Sequence, residues 1–333
     1  MINLANLQEN KVSTDLSGYP VVFLGETGDG KTNSMFNYLT SVAPEGKVPL
    51  FIEFEDRYKA IPGIMAARVY SIADVISILG QLQNPQIRDK FSGIVIDTID
   101  KFEEMASTYN AKNKEVAIIE DLTFGKGKRY LNATLGIITE IRNLGLPVHV
   151  CVQSYKNTDI ITKKTTVVTK LKDITEAKIF HDAFLIGMLK IDNKAKDPMH
   201  SDRLITFRKD DTNIKLKDTF GLPKEMHVKD IKTNLEKLFD KQFDKSQLRD
   251  DAVLEEIKEE VPFNEIIERG NELGGLLANE GHLEEAMNIL KTNIGQDEQG
   301  NPKMFDSLLE TQIDLAKVVV LKLEDVANKY NLK

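Results

Sequence analysis

The stretch Gly25-Glu26-Thr27-Gly28-Asp29-Gly30-Lys31-Thr32 constrains the fold of this chain more than any other. It follows the apolar run Val21-Val22-Phe23-Leu24 and leads into a helical pattern from Asn33 to Leu39. Its spelling is G-x-x-x-x-G-K-[ST], set between strand and helix, which is the context a phosphate-binding loop requires. Glycines let the backbone curl until its N–H groups face a phosphate. The positive end of the following helix adds to that attraction. Gly25 through Asn33 therefore form the candidate nucleotide-binding set, with Lys31 reaching the β- and γ-phosphates and Thr32 ligating Mg2+. An ordinary glycine turn containing Lys-Thr is the alternative, and the flanking strand and helix argue against it.

A chain of 333 residues is long enough for one large domain with an appendage, or for two domains. No apolar run approaches the roughly 18 residues of a membrane span. Met1 to Gly18 lacks the cationic start and apolar core of a secretory signal. The expected location is cytoplasmic. The single cysteine, Cys151, sits in an apolar run and is expected to be a buried structural thiol. The net charge of −8 is uneven: Asp251 to Lys333 carries 18 acidic and 8 basic residues, and the remainder is close to neutral. An acidic total does not exclude nucleic acid, because local patches decide contact.

Val48–Phe54, Arg68–Ile72, Gly93–Ile96 and Val148–Val152 read as further strands. Helical patterns at Ala73–Leu82, Lys101–Lys112 and Tyr130–Asn143 alternate with them. This alternation predicts an α/β fold with a mostly parallel sheet flanked by helices. Ligands of such sheets bind at the carboxyl ends of strands, where Gly25, Glu55, Asp97 and Gln153 all fall. Ala183–Lys190 and Arg203–Phe207 read as additional strands, and Ile214–Lys217 as an edge strand. From Val228 the pattern turns helical, at Leu254–Ile257, Ile266–Leu277, Leu283–Leu290 and Met304–Tyr330. The expected divisions are a lead-in over 1–19, a nucleotide-binding domain over 20–227 and an acidic helical region over 228–333.

Asp97 closes an apolar strand and is the candidate second holder of Mg2+, opposite Thr32. The residue after it is Thr98, so a water-activating glutamate is not found there. Asp100 is expected to cap the helix beginning at Lys101. Glu55 is the candidate base that orients a water for in-line attack, with an ordinary loop glutamate as the alternative. Glu53 is expected to point to the other side of the strand. Gln153 is a candidate reporter of the γ-phosphate, with a plain polar strand end as the alternative. The lysines beyond it, Lys156, Lys163, Lys164, Lys170 and Lys172, suit a nucleic-acid backbone or a solvated loop. Lys126, Lys128 and Arg129 make a second basic spot, where Gly125 and Gly127 permit close approach. Tyr109, Phe124 and Tyr155 are candidates for base stacking or for packing.

Taken together, the phosphate loop, Glu55, Asp97-Thr98 and Gln153 before a basic segment resemble the RecA-type ATPase core. More closely, the chain resembles the phage nucleotide-binding domain that includes the RecA-like branch of phage single-strand annealing proteins. FGKGKRYLNATLGIITEIRNLGLPVHVCVQ, the segment around RLITFRKDD, and IKLKDTFGLP carry this closer likeness. The resemblance spans about Pro20 to Pro223. It implies ATP and Mg2+ binding, ATP hydrolysis, single-stranded DNA on the segment after Gln153, and rings or filaments with ATP sites between subunits. Lys209, Lys215 and Lys217 match the basic residues near the end of that core. Lys215 and Lys217 are candidates for reaching a neighbour's γ-phosphate. The compact annealing ATPases largely lack an acidic helical tail of this length, so an ATP-dependent assembly or helicase-loader role stands as the alternative. In that role the tail would dock a single-strand-binding or other replication protein. A GTPase is disfavoured, since Asn193-Lys194-Ala195-Lys196 lacks the aspartate of a guanine signature.

Overall fold

Residues 9–197, 202–209, 212, 215–249 and 261–332 are described by the computed structural model. The chain divides into two units, Met1–Asp251 and Ala252–Lys333.

The first unit is built on one sheet. In chain order its strands are β1 (Val12–Ser13), β2 (Val21–Gly25), β3 (Val48–Glu53), β4 (Met65–Arg68), β5 (Phe91–Asp97) and β6 (Val148–Thr158). They continue with β7 (Thr165–Thr169), β8 (Leu185–Lys190), β9 (Leu204–Thr206), β10 (Lys217–Asp218), β11 (Met226–His227) and β12 (Leu248–Arg249). The order across the main sheet is β11-β9-β8-β2-β6-β5-β3-β4. From β8 to β4 every neighbouring pair is parallel, and β9, β10 and β11 add on antiparallel. As expected for a Walker B strand, β5 is separated from β2 by one strand, β6.

Alternation along the central strands explains why both faces carry helices. Val22, Leu24, Leu50, Ile52, Ile94, Ile96, Val150 and Val152 point into one core, with α2 (Ile72–Leu82), α4 (Ile99–Asn113), α5 (Lys126–Thr134) and α6 (Gly136–Asn143). Val21, Phe23, Phe51, Val95 and Cys151 point into the other, with α1 (Lys31–Val42) and α8 (Ile231–Gln242). The short α3 (Pro85–Arg88) and α7 (Asp173–Phe180) complete this unit's helices among the described residues. Cys151 is fully buried, and burial pushes its thiol well above the ordinary range.

Several expectations shift. The strand expected at Arg68–Ile72 lies instead at Met65–Arg68. Ser71 and Asp74 form a reciprocal capping box that makes Ser71 the N-cap and starts α2 at Ile72. The helix expected over Tyr130–Asn143 is two helices, broken at Leu135. β6 does not end at Gln153; it runs to Thr158 and pairs antiparallel with β7 as a ribbon. The edge strand expected at 214–217 appears as Lys217–Asp218, with Ile214 outside the described residues. The division expected at 227/228 falls at 251/252 because α8 buries Ile231, Leu235 and Phe239 against α1 and the sheet, and because β12 pairs with β1.

The second unit packs α9 (Phe263–Asn279), α10 (Leu283–Asn293) and α11 (Ile313–Lys329) around its own apolar core. The pattern at Leu254–Ile257 lies outside the described residues. The helix expected from Met304 begins only at Ile313, because Phe305 and Leu308 turn inward ahead of it. The tip of the Phe305 ring meets Gly270, where an added Cβ would stand 2.5 Å from the ring.

Candidate nucleotide site

β2 ends at Gly25 and α1 begins at Lys31, so the glycine loop spans the gap between them. Gly28 and Gly30 adopt φ of 95° and 77°, which L side chains rarely tolerate. The loop folds tightly on itself. Asp29 Oδ2 accepts the Glu26 N–H at 2.7 Å, and Lys31 Nζ donates to the carbonyls of Gly25 and Glu26, each at 2.9 Å. Burial raises the Asp29 carboxyl above its usual range despite that bond. Arg203, just ahead of β9, donates from Nε to the Asp29 carbonyl at 3.0 Å and closes over Gly30.

Beside the loop opens a cleft of about 200 Å³, walled by Lys31, Thr32, Glu53, Glu55, Arg57 and Asp97, among others. Glu53 and Asp97 end adjacent strands in direct register. Both are nearly inaccessible, at 1% and 4% exposure. Burial raises both carboxyls; the proximity of Asp97 raises Glu53 further, and the Thr32 hydrogen bond and Lys31 partly offset the effect on Asp97. Glu53 Oε1 and Asp97 Oδ2 are buried without a hydrogen-bond partner among the described residues. Buried carboxylate oxygens left in this state, beside a threonine hydroxyl, fit a hard divalent cation. Thr32 and Asp97 are thus placed together as a Mg2+ site requires.

Glu55 lines the same cleft and pairs with Arg57 at 2.9 Å. The expectation that Glu53 faces away from it is overturned. β3 ends at Glu53, and the chain bends beyond it so that Glu55 joins Glu53 on the wall of the cleft. Gln153 is brought to the loop: its amide donates to the Thr27 hydroxyl at 2.8 Å. Asp100 is not the helix cap. Thr98 occupies that position, and Asp100 Oδ2 instead accepts the Gln153 backbone N–H at 2.8 Å.

The basic residues divide into those at the loop, those on the ribbon and those tied elsewhere. Lys156 pairs with Glu26 of the glycine loop at 3.3 Å. Lys163, Lys164 and Lys170 are exposed on the ribbon, with Lys170 over the Tyr155 ring at 5.6 Å. Lys172 is bound to Glu120 at 2.8 Å and to Ser107 at 3.0 Å, so it fastens α7 to the helical face. Lys126, Lys128 and Arg129 are exposed on the first turn of α5. Gly127 does not offer the open approach expected of it, since a Cβ there would stand 2.3 Å from the Ile119 carbonyl oxygen. Phe124 is 90% exposed, not a packing residue; Tyr109 and Tyr155 are half as exposed or less. Lys209 is exposed, Lys215 pairs with Glu176 at 2.6 Å, and Lys217 donates to the His181 carbonyl at 3.2 Å.

The AAA domain profile matches residues 17–215, more than half of the chain. The chain belongs to the AAA domain family. The matched segment contains the glycine loop, both strand-end carboxylates and Gln153, and membership carries with it the P-loop ATPase fold. The chain is also similar to the uncharacterized SPbeta prophage-derived protein YorG of Bacillus subtilis (strain 168), at 24% identity over 307 residues. That alignment covers 89% of this chain and 91% of YorG. Among the described residues, no helix is long and apolar enough to cross a membrane.

Three residues at the site escape a reading of the sequence. Glu53 ends β3 while Glu55 lies in the bend beyond it, so strand alternation does not relate the two. Arg57 opens a 3-10 turn, and its place on the cleft wall follows from that turn. Arg203 is separated from the loop by more than 170 positions, and nothing local marks it.

Proposed function

We propose that this AAA domain protein is a Mg2+-dependent ATPase of phage DNA recombination or replication, which binds single-stranded DNA and promotes annealing or strand pairing. One observation carries the reading. Gln153, hydrogen-bonded to Thr27 in the phosphate loop, lies on the strand that continues without a break into the exposed lysine-bearing ribbon. Phosphate occupancy and ribbon position are then mechanically linked through a single β-strand. In this scheme Lys31 grips the β- and γ-phosphates, and Glu55 orients the attacking water. Thr32 and Asp97 would hold Mg2+, which would supply positive charge beside the phosphates. The ribbon lysines, with Lys126, Lys128 and Arg129, neutralise the DNA backbone. Rings or filaments would bring a neighbour to the site; Lys215 and Lys217 would first have to leave Glu176 and the His181 carbonyl to act there.

The test is ATP turnover with and without single-stranded DNA across a salt series, with light scattering for mass. DNA-stimulated turnover that fades with salt supports the proposal. Turnover indifferent to DNA, with no DNA binding at low salt, overturns it.

The independently cored acidic unit favours a second reading, an ATP-dependent assembly or loader protein whose helices dock a replication partner. ATP-dependent capture of a single-strand-binding protein or helicase, lost on deletion of Asp251 to Lys333, would select it.

A further inference from the structure

The cleft contains one more acidic group than the nucleotide reading needs. Glu53 has no helix to cap and no surface to solvate, being 1% exposed at the end of β3, which lies between β5 and β4. Its neighbour across the sheet is Asp97, so two carboxylates share one buried corner. Arg68 lies close enough to act on Glu53, yet its guanidinium is spent elsewhere. It donates to the backbone carbonyls of Glu53 and Val69, at 3.2 and 2.8 Å, and to Asp56 at 3.1 Å. Lys31 is similarly committed to the carbonyls of Gly25 and Glu26. Glu53 Oε1 and Asp97 Oδ2 remain without partners while walling the cleft beside Thr32. A buried carboxylate oxygen without a donor is costly, and two in one corner repel each other. A divalent cation offsets both penalties. Mg2+ is commonly held by one or two carboxylates together with phosphate oxygens and water.

We infer that Glu53 is a second metal-holding carboxylate, paired with Asp97 across β3 and β5, directly or through metal-bound water. This rests on the nucleotide-site reading above and deepens it. Glu55, partly exposed and paired with Arg57, stays free for the water. The two glutamates of one strand end thus separate into a metal role and a base role.

Mn2+ is a suitable probe, since it shares the oxygen-ligand preference of Mg2+ and is read directly by electron paramagnetic resonance. The full-length chain is titrated with Mn2+ in the presence of a non-hydrolysable ATP analogue, comparing the parent protein with Glu53→Gln, Glu55→Gln and Asp97→Asn. The expected result is at least a tenfold weaker Mn2+ affinity for Glu53→Gln and for Asp97→Asn, with Glu55→Gln close to the parent. Binding of a fluorescent ATP analogue in excess chelator should be retained by Glu53→Gln, which separates a metal effect from a collapsed site. If Glu53→Gln fails to fold, Glu53→Asp takes its place, and a shortened carboxylate should still weaken Mn2+ binding. Wild-type Mn2+ affinity in a folded Glu53 variant, with Asp97→Asn impaired, overturns this inference and leaves the nucleotide site standing. Full Mn2+ affinity in both overturns the site reading itself.

Discussion

At the residue scale, position and charge state decide what each side chain can do. Lys31 is buried in the loop with its ammonium on two carbonyls, poised to exchange them for phosphate oxygens. Lys31→Ala should weaken nucleotide binding by about tenfold or more, ~1.4 kcal/mol, and abolish hydrolysis. Equilibrium binding and a turnover assay check both. Glu55→Gln should keep nucleotide binding while cutting turnover by roughly a hundredfold or more; normal turnover would remove Glu55 as the base. His149 poses a different case, since it lies inside the sheet and not at the cleft. Its Nδ1 accepts the Val21 N–H at 3.3 Å, and burial lowers its pKa from 6.5 to about 3. Between pH 6.5 and 3 the unfolded chain therefore binds a proton that the folded chain refuses. His149 should leave stability untouched above pH 6.5 and erode it as pH falls toward 3. The slope contributed is at most about 1.4 kcal/mol per pH unit. Urea unfolding of the parent and His149→Asn from pH 7 downward should show the parent losing the additional stability.

At the element scale, the β6–β7 ribbon is the feature on which the proposed DNA binding depends. It leaves the sheet at the strand end nearest the glycine loop and carries Lys163 and Lys164 on its turn. Asp159 organises that turn by accepting the Ile161 and Thr162 N–H groups, at 2.9 and 2.6 Å. Ile160 and Ile161 are 83% and 91% exposed beside those lysines. Replacing Lys163 and Lys164 together by Ala should reduce the slope of log affinity against log salt for single-stranded DNA by about one to two units. An unchanged slope would return the ribbon to the role of a solvated loop. Fluorescence anisotropy over a salt series measures it.

At the scale of the whole molecule, the two units have separate cores and opposite electrostatic character. The last 83 residues carry the acidic excess, and the remainder is close to neutral with local basic patches. Removing Ala252 to Lys333 should leave the first unit folded, because β12 and α8 stay with it. The shortened protein should bind single-stranded DNA more tightly at low salt, with the difference fading as salt rises. Equal or weaker affinity would mean that the acidic unit does not screen the basic patches. Cutting instead after His227 strips α8 and uncovers a face filled by Ile231, Leu235 and Phe239. At about 1.5–3 kcal/mol for each such side chain, that product should aggregate or unfold. Circular dichroism and light scattering on the two truncations check where the unit ends.

The alternation of apolar runs with helical patterns sufficed to determine the parallel sheet, and the loop spelling sufficed to place the phosphate site at a strand end. Both are local: a strand's period is two, a helix's is 3.6, and a glycine loop needs only its flanks. Asp97 and Gln153 followed from the same rule, because parallel strands bring their carboxyl ends to one edge. What required the tertiary structure was everything set by neighbours distant in sequence. Gln153 reads as a strand end until β6 is seen to continue into a ribbon, a choice made by pairing with β7 and not by its own residues. Asp100 looks like a cap until the Gln153 N–H arrives from another strand. Arg203 reaches the glycine loop only because β8 and β9 fold beside β2. Glu53 and Asp97 become one corner through the β3–β5 register, which no single segment encodes. Periodicity says which way a side chain points; only packing says what it meets there.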